Sequence, residues 1–370
     1  MAVVLTLNAG SASFKYALYE MGEEERQLAE GGLGRVGQGG LPDHDAAFTT
    51  AMAELSEADL PDPEAVGHRL VHGGAKHAAP ERVDRELLQT LRDLAPFAPL
   101  HLPPQIMGIE AVADRYPDLP QVACFDTAFH RRMPELAQRF PLPEELWESG
   151  VRRYGFHGLS YEFVVWSLRA QDPGRLLIAH LGNGSSMAAV SNGAPVDTTM
   201  GFTPAAGLMM GTRSGDLDPG LATYLIRERG FDGEALDRLI NQEAGLLGVS
   251  GGTSDMKTLI ETRETNPRAA LAVDMYCYLA SKQAGAMVAA LGGLDTMVFT
   301  GGIGERAAPV RAQICAGLGH LGVELDPGSN DRAEEVISSE GSRCTVRVVH
   351  TDEDLMIARH VRELLFAYAG

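Results

Sequence analysis

Five short apolar runs punctuate this chain, and each stops abruptly at a polar or glycine-rich turn: VVLTL before NAGSASFK, QVACF before DTAF, RLLIAH before LGNGSS, TMVF before TGGIGE, and TVRVV before HTDED. Runs of this length, rich in β-branched residues and closed by turn formers, read as buried strands. Helical patterns lie between them, in ELLQTLRDLA, GLATYLIRERG and LAVDMYCYLASKQAGAMVAALGG, and DLMIARHVRELLFAYA ends the chain with apolar residues at helical spacing. Strands alternating with helices predict an α/β fold. At 370 residues the chain is too long for one ordinary core, so two domains are expected.

An apolar fraction of 45% with 22% charged residues is that of a globular protein. The formal net charge of −19, with no long run of one sign, argues against nucleic acid and against an anionic membrane surface as partners. Cys124, Cys277, Cys315 and Cys344 are scattered without a CxxC pair, so neither a zinc site nor a disulfide framework is indicated. The N-terminal stretch lacks a basic-then-apolar signal pattern, and no stretch reaches transmembrane length. A cytoplasmic location and no membrane partner are the expectation.

One motif is a decoy. GLGRVG, from Gly32 to Gly37, matches GxGxxG. A dinucleotide fingerprint needs an apolar strand before it and a helix after it, whereas EEERQLAEG precedes and QGGLPDH follows. The glycine-rich segment GGLGRVGQGGLPDHDAA reads as loop.

The turn NAGSASFK joins VVLTL to the alternating FKYALYE, which predicts a hairpin. Asn8, Gly10, Ser11 and Ser13 are what ordinary turns contain. They also suit a phosphate-binding hairpin, in which N–H groups and hydroxyls donate to phosphate oxygens and Lys15 supplies charge. The Walker A spacing is absent. HLGNGSS and TGGIGE are two further turns where backbone can approach a ligand closely. Arg69 in HRLVHGG and Arg213 in MGTRSGDLDPG would each, alone, read as a surface residue or an ion pair. Asp126 after QVACF is a helix cap or turn former on its own, and His157 lies between glycines in YGFHGLS. TDED either favours the N-terminus of the last helix or offers carboxylate oxygen to a hard divalent cation. Together these groups make a phosphoryl-transfer set: turns that cradle phosphates, arginines for equatorial oxygens, one carboxylate to orient the acceptor and another for Mg²⁺.

In order, NAGSASFK, HRLVHGG, APLH, FDTAFH, RRYGFHG, HLGNGSS, DTTMGFTPAAGLMMGTRSGDLDPG, GLLGVSGGTSDM, GGIGE and TDEDLMIAR resemble the acetate kinases, and the resemblance runs from Asn8 to Arg359. It implies an α/β fold of two similar domains, of the actin, Hsp70 and sugar-kinase type, around a nucleotide-binding cleft. Residues 1–130, completed by the C-terminal helix 355–370, would form the first domain, and residues 131–354 the second. The implied activity is reversible transfer of phosphate from ATP to acetate, giving ADP and acetyl phosphate by direct in-line attack.

The resemblance also implies roles. Asp126, His157 and Arg213 would be catalytic, Asp126 in proton handling and the other two in stabilising the transition state. Arg69 would bind the substrate carboxylate, and Val71, Leu100, Phe156 and Pro204 would form a small pocket for the acyl methyl. ATP would meet Ser11, Ser13 and Lys15; His180, Leu181, Gly182, Asn183 and Gly184; Asp255, Met256 and Lys257; and Gly302, Ile303, Gly304, Glu305 and Arg306. Asn8, through water, and Glu353 would serve Mg²⁺, with Mn²⁺ as the alternative metal, and the active form would be a homodimer.

The chain departs from the family pattern at several points. Leu102 follows His101 in place of asparagine. Leu159 and Tyr161 stand for threonine and histidine, Ala12 for a serine, and Arg306 for an asparagine. Met256 and Lys257 stand where phenylalanine and arginine are usual. The alternatives are a propionate or other short-chain acyl kinase and, in a different class, a non-catalytic nucleotide-dependent binding module.

Overall fold

The computed structural model describes residues 1–10, 13–34, 36 and 40–366. Its contacts gather into two compact units: unit 1 comprises Met1–Arg131, Phe156–Phe163 and Asp352–Gly370, and unit 2 comprises Arg132–Gly155 and Val164–Thr351.

Unit 1 holds β1 (Ala2–Ala9), β2 (Ser13–Met21), β3 (Glu25–Gly34), β4 (Ala65–Leu70), β5 (Glu81–Arg82) and β6 (Gln121–Phe125), in the spatial order β3-β2-β1-β4-β6-β5. The first three strands form an antiparallel meander, and β4 and β6 continue parallel to β1. Unit 2 holds β7 (Leu176–Leu181), β8 (Ser185–Ser191), β9 (Ala194–Thr198), β10 (Thr296–Thr300) and β11 (Thr345–Val348), in the order β11-β10-β7-β8-β9. Here too a meander, β7-β8-β9, is followed by two strands parallel to its first. The protein is therefore built of two similar α/β domains.

The strands form where the apolar runs lie because both faces of each sheet are covered. Every residue of β6 and of β10 is buried, as parallel strands between helices require. On one face of unit 1, Leu5, Leu7, Phe14 and Leu18 pack with Phe48 and Val112 from the helices His44–Glu57 and Leu102–Arg115. On the other face, Val4, Ala17 and Ala65 meet Met356, Ile357 and Val361 of the terminal helix Glu353–Phe366. That helix approaches so closely that a Cβ at Gly67 would lie 2.3 Å from Ile357 Cγ2. Asp43 and Asp84 accept from the third residue beyond them and cap their helices.

The segment read as loop from Gly31 onward is corrected at both ends: His44–Ala47 already belong to the helix His44–Glu57 that Asp43 caps. Gly31–Gly34 end β3 and pair with Ser13–Tyr16 of β2. The physical reason is side-chain space: a Cβ at Gly31 would lie 2.3 Å from the Tyr16 ring, so glycine admits the tyrosine across the pair. Within the decoy motif, Arg35 and Gly37 lie outside the described residues, as does the candidate Ser11. Among the described residues no helix is long and apolar enough to cross a membrane.

Candidate functional site

In unit 1 the groups singled out from sequence collect at the C-terminal ends of the adjacent parallel strands β1, β4 and β6, where α/β sheets place ligands. Asn8 is near the end of β1, Arg69 near the end of β4, and Asp126 directly after β6, while Glu353 opens the terminal helix. The Arg69 guanidinium organises them. It donates through Nη2 to Asp126 Oδ2 (2.6 Å) and through Nε to Asp126 Oδ1 (3.2 Å), a two-pronged pair. Its Nη1 donates to Asn8 Oδ1 (3.2 Å), and Glu353 Oε2 lies 3.4 Å from Nε.

Electrostatics follow from burial. Asp126 is fully buried, which pushes its carboxyl upward; Arg69 pulls it back, and Glu353 adds to the rise. Burial works against the Arg69 charge as well, but Asp126 and Glu353 outweigh it and hold the guanidinium charged. Burial also pushes Asp354 up to about 6, against a hydrogen bond from Thr6 Oγ1 (2.9 Å). Carboxylates thus outnumber the guanidinium at this point, which suits a divalent cation. Among the described residues no three His, Cys, Asp or Glu side chains are arranged as a closed metal cage. An open site of one or two protein ligands is how Mg²⁺ is commonly held beside phosphates.

His157 stands next to this centre with φ +58, in the left-handed region. Its backbone N–H is one of the groups that favour the charged form of Asp126. The Gly158 amide donates to the Asp126 carbonyl (2.9 Å), and a Cβ at Gly158 would lie 2.1 Å from that oxygen. The His-Gly pair therefore exists because backbone must pass within contact of Asp126. Val71 and Phe156 are buried beside it, and Leu100 is 38% exposed. Two departures from the family pattern prove to be core residues. Leu159 joins the cluster under the terminal helix, and Tyr161 packs against Phe129 and His130. Ser13 and Lys15 begin β2, where Lys15 pairs with Asn8 across the hairpin.

Unit 2 brings three of the ATP-candidate segments to one cavity of about 700 Å³, lined by Gly182 and Asn183, by Asp255, Met256 and Lys257, and by Gly302, Ile303 and Arg306. The turn after β7 is shaped by a buried hydroxyl pair. Ser185 Oγ donates to the Gly182 carbonyl (3.0 Å), accepts the Gly182 amide (3.3 Å), and lies 2.8 Å from Tyr276 Oη. Gly301 after β10 has φ +76, and a Cβ there would lie 2.8 Å from the Leu181 carbonyl; only glycine fits. Asp255 accepts from the Thr258 amide (3.0 Å) and hydroxyl (2.6 Å), so it caps the helix Met256–Thr262 and sets its first turn on the cavity wall. Leu181 and Gly304 are buried, so what they offer a ligand is backbone. Glu305 is not among the residues that line the cavity; it accepts from Gly301 N (2.9 Å) and pairs with His350. Outside this cavity, the Arg213 guanidinium donates to the Pro204 carbonyl (3.3 Å), which joins two candidate residues.

Several residues escaped the sequence reading. Ile260 and Glu261 line the cavity; they lie one helical turn beyond Met256 and Lys257, and i+4 spacing could have found them. Ser254, Ala307 and Pro309 also line it, and no sequence signal marks them.

Fold and turn geometry together describe a two-domain α/β protein with a nucleotide-sized cavity. The sequence profile of the Acetokinase family matches residues 28–359. An acetate kinase of Rhodopseudomonas palustris is 44% identical over 393 aligned positions, covering 98% of each chain. Among solved structures, the acetate kinase of Porphyromonas gingivalis superposes with a TM-score of 0.89 at 38% identity, over 99% of this chain and 100% of that one. A propionate kinase of Francisella tularensis gives 0.88 at 33% identity, over 97% and 99%. The chain belongs to the Acetokinase family.

Proposed function

We infer that the protein is an ATP-dependent kinase with a carboxylate acceptor, and that the acceptor is acetate, converted reversibly with ATP to acetyl phosphate and ADP. The observation that carries the chemistry is the Arg69–Asp126 pair with Asn8 and Glu353 at three neighbouring strand ends. A guanidinium held in place by a buried carboxylate presents its remaining face to an incoming carboxylate, and Asp126 is poised beside it to orient the attacking oxygen. Val71 and Phe156, both buried, and Leu100 give the methyl group an apolar wall. His157, fixed in a left-handed conformation next to Asp126, supplies an imidazole for the transferring group. In unit 2, Arg213 offers a planar fork for equatorial oxygens, and the cavity around Met256 and Gly302 takes the nucleoside.

Glu353, with Asn8 through water, would hold Mg²⁺, which when bound neutralises charge on the β- and γ-phosphates. Propionate is the second acceptor, favoured by the likeness to the Francisella tularensis propionate kinase.

The protein works in the cytoplasm and as a homodimer. Exposed large apolar side chains support a second copy as partner: Leu271, Met275 and Tyr278 form a stripe on the helix Pro267–Leu291, and Leu221, Tyr224 and Ile226 lie on the helix Pro219–Arg229, which buries no residue. Sedimentation at micromolar concentration should give twice the chain mass.

The function is tested by trapping acetyl phosphate as a hydroxamate with ATP and acetate, propionate or butyrate. Acetate should give the highest kcat/KM. ATP binding without product from any acid would leave only the binding-module reading.

A further inference from the structure

The segment after Arg69 is held by side chains that none of the roles above uses. The Val71 amide donates to Gln105 Oε1 (3.0 Å), the Gly73 amide to Thr127 Oγ1 (3.0 Å), and the Gly74 amide to His72 Nδ1 (2.8 Å). Gln105 comes from the helix Leu102–Arg115, Thr127 follows β6, and His72 belongs to the segment itself. Gln105 is 3% exposed, and Thr127 and His72 are fully buried. Past the end of β4 the chain has no ladder partner for these amides, and a buried amide must be satisfied somewhere. Burial pushes His72 down to about 4, so it stays neutral and keeps an acceptor lone pair.

The surroundings allow the segment one position. The His72 ring lies against Phe97 and Phe156, with centroids at 5.8 and 5.6 Å. A Cβ at Gly73 would lie 2.6 Å from the His77 carbonyl and 3.0 Å from the Phe125 ring.

Of the three acceptors, only Gln105 acts on Val71 without being tied to another candidate group. Thr127 adjoins Asp126, and His72 packs on Phe156. We propose that Gln105 is a positioning residue that sets acyl-chain preference: by accepting the Val71 amide it fixes how far the Val71 side chain reaches into the pocket for the acyl methyl. The proposal rests on the acyl-kinase function inferred above. Such a lever has consequences because one methylene in an apolar pocket discriminates by roughly 10–200-fold. A wall displaced by part of a carbon–carbon bond therefore shifts preference between acetate and propionate.

The test uses Gln105→Met, which keeps the length and loses the acceptor, and Gln105→Glu, which keeps an acceptor oxygen at the same reach. For each, kcat and KM are measured with acetate and propionate, with KM for ATP and urea unfolding alongside. Gln105→Met should raise KM for acetate roughly tenfold with kcat within about threefold and KM for ATP unchanged. The acetate-to-propionate ratio of kcat/KM should fall at least about threefold. Gln105→Glu should bring KM for acetate back to within about threefold of the parent. If Gln105→Met does not fold, Gln105→Asn, one methylene short of Val71, takes its place with the same expected shifts. An unshifted ratio in a folded variant, KM values for acetate and ATP rising together, or Gln105→Glu behaving like Gln105→Met would each overturn the proposal. Parent protein that turns over neither acid would overturn the acyl-kinase reading, and this proposal with it; active parent protein with an unshifted ratio overturns the proposal alone.

Discussion

Arg69→Met removes the guanidinium that faces Asp126 and leaves a fully buried carboxylate without its two hydrogen bonds of 2.6 and 3.2 Å. Breaking a buried ion pair from one side costs about 3–5 kcal/mol, because the surviving charge keeps its desolvation penalty. The lost bond to Asn8, 3.2 Å long, adds about 0.5–1.5 kcal/mol, while protonation of Asp126 returns part of the loss. The expected net cost at pH 7 is about 3–5 kcal/mol, a fall in Tm of roughly 6–20 °C for a domain of this size. Asp126→Asn should cost less, about 1–3 kcal/mol, since Arg69 keeps Glu353 at 3.4 Å. With both charges gone, the double variant should recover to within about 2 kcal/mol of the parent. Its activity should not recover: kcat/KM for acetate should stay at least about 10³-fold down, since oriented charge at the reacting group is lost. Urea unfolding followed by circular dichroism, with acetyl phosphate formation on the same samples, reads both quantities. Additive stability losses would refute the assignment of Asp126 and Arg69 as an interdependent pair, and near-parental turnover in the double variant would refute their catalytic placement.

Arg213→Lys should lower kcat by at least about tenfold with little change in KM for acetate, because a point charge cannot span two equatorial oxygens as a planar fork does; a change confined to KM would contradict this. Glu353→Gln should raise the Mg²⁺ concentration for half-maximal rate about tenfold or more while the circular dichroism spectrum stays unchanged, and an unaltered metal requirement would assign Glu353 to the helix terminus alone. Tyr276→Phe removes the phenol 2.8 Å from Ser185 Oγ; it should cost about 1 kcal/mol in urea unfolding and raise KM for ATP more than KM for acetate. Burial holds His68 neutral by lowering it from 6.5 to about 4. The unfolded chain therefore binds the extra proton between these values, and stability falls as pH drops through that window. In His68→Asn the fall should be shallower by about 1.4 kcal/mol per pH unit, and equal slopes would show that His68 is not held neutral.

Much of the molecule was legible before any coordinates. Apolar runs that stop at polar or glycine-rich turns are local signals, and β6 and β10 appear where QVACF and TMVF stand because strands covered on both faces need unbroken apolar sequence. The glycines of TGGIGE and YGFHGLS were readable as places where backbone comes close to a ligand; the close approach at Gly301 and Gly158 is to the chain's own Leu181 and Asp126 carbonyls. Family roles could be attached to motifs because each motif keeps its own order and spacing.

Tertiary structure alone decided the partners. Nothing local says that Arg69 donates to a carboxylate 57 residues away, or that Gln105 reaches back across 34 residues to the Val71 amide. Nor does local pattern say that Gly31 sits within an edge strand, opposite Tyr16, to make room for its ring. Such pairs arise when strand order places distant segments side by side. What selects them is burial: an amide or a charge taken out of water must find whatever partner the packed chain presents.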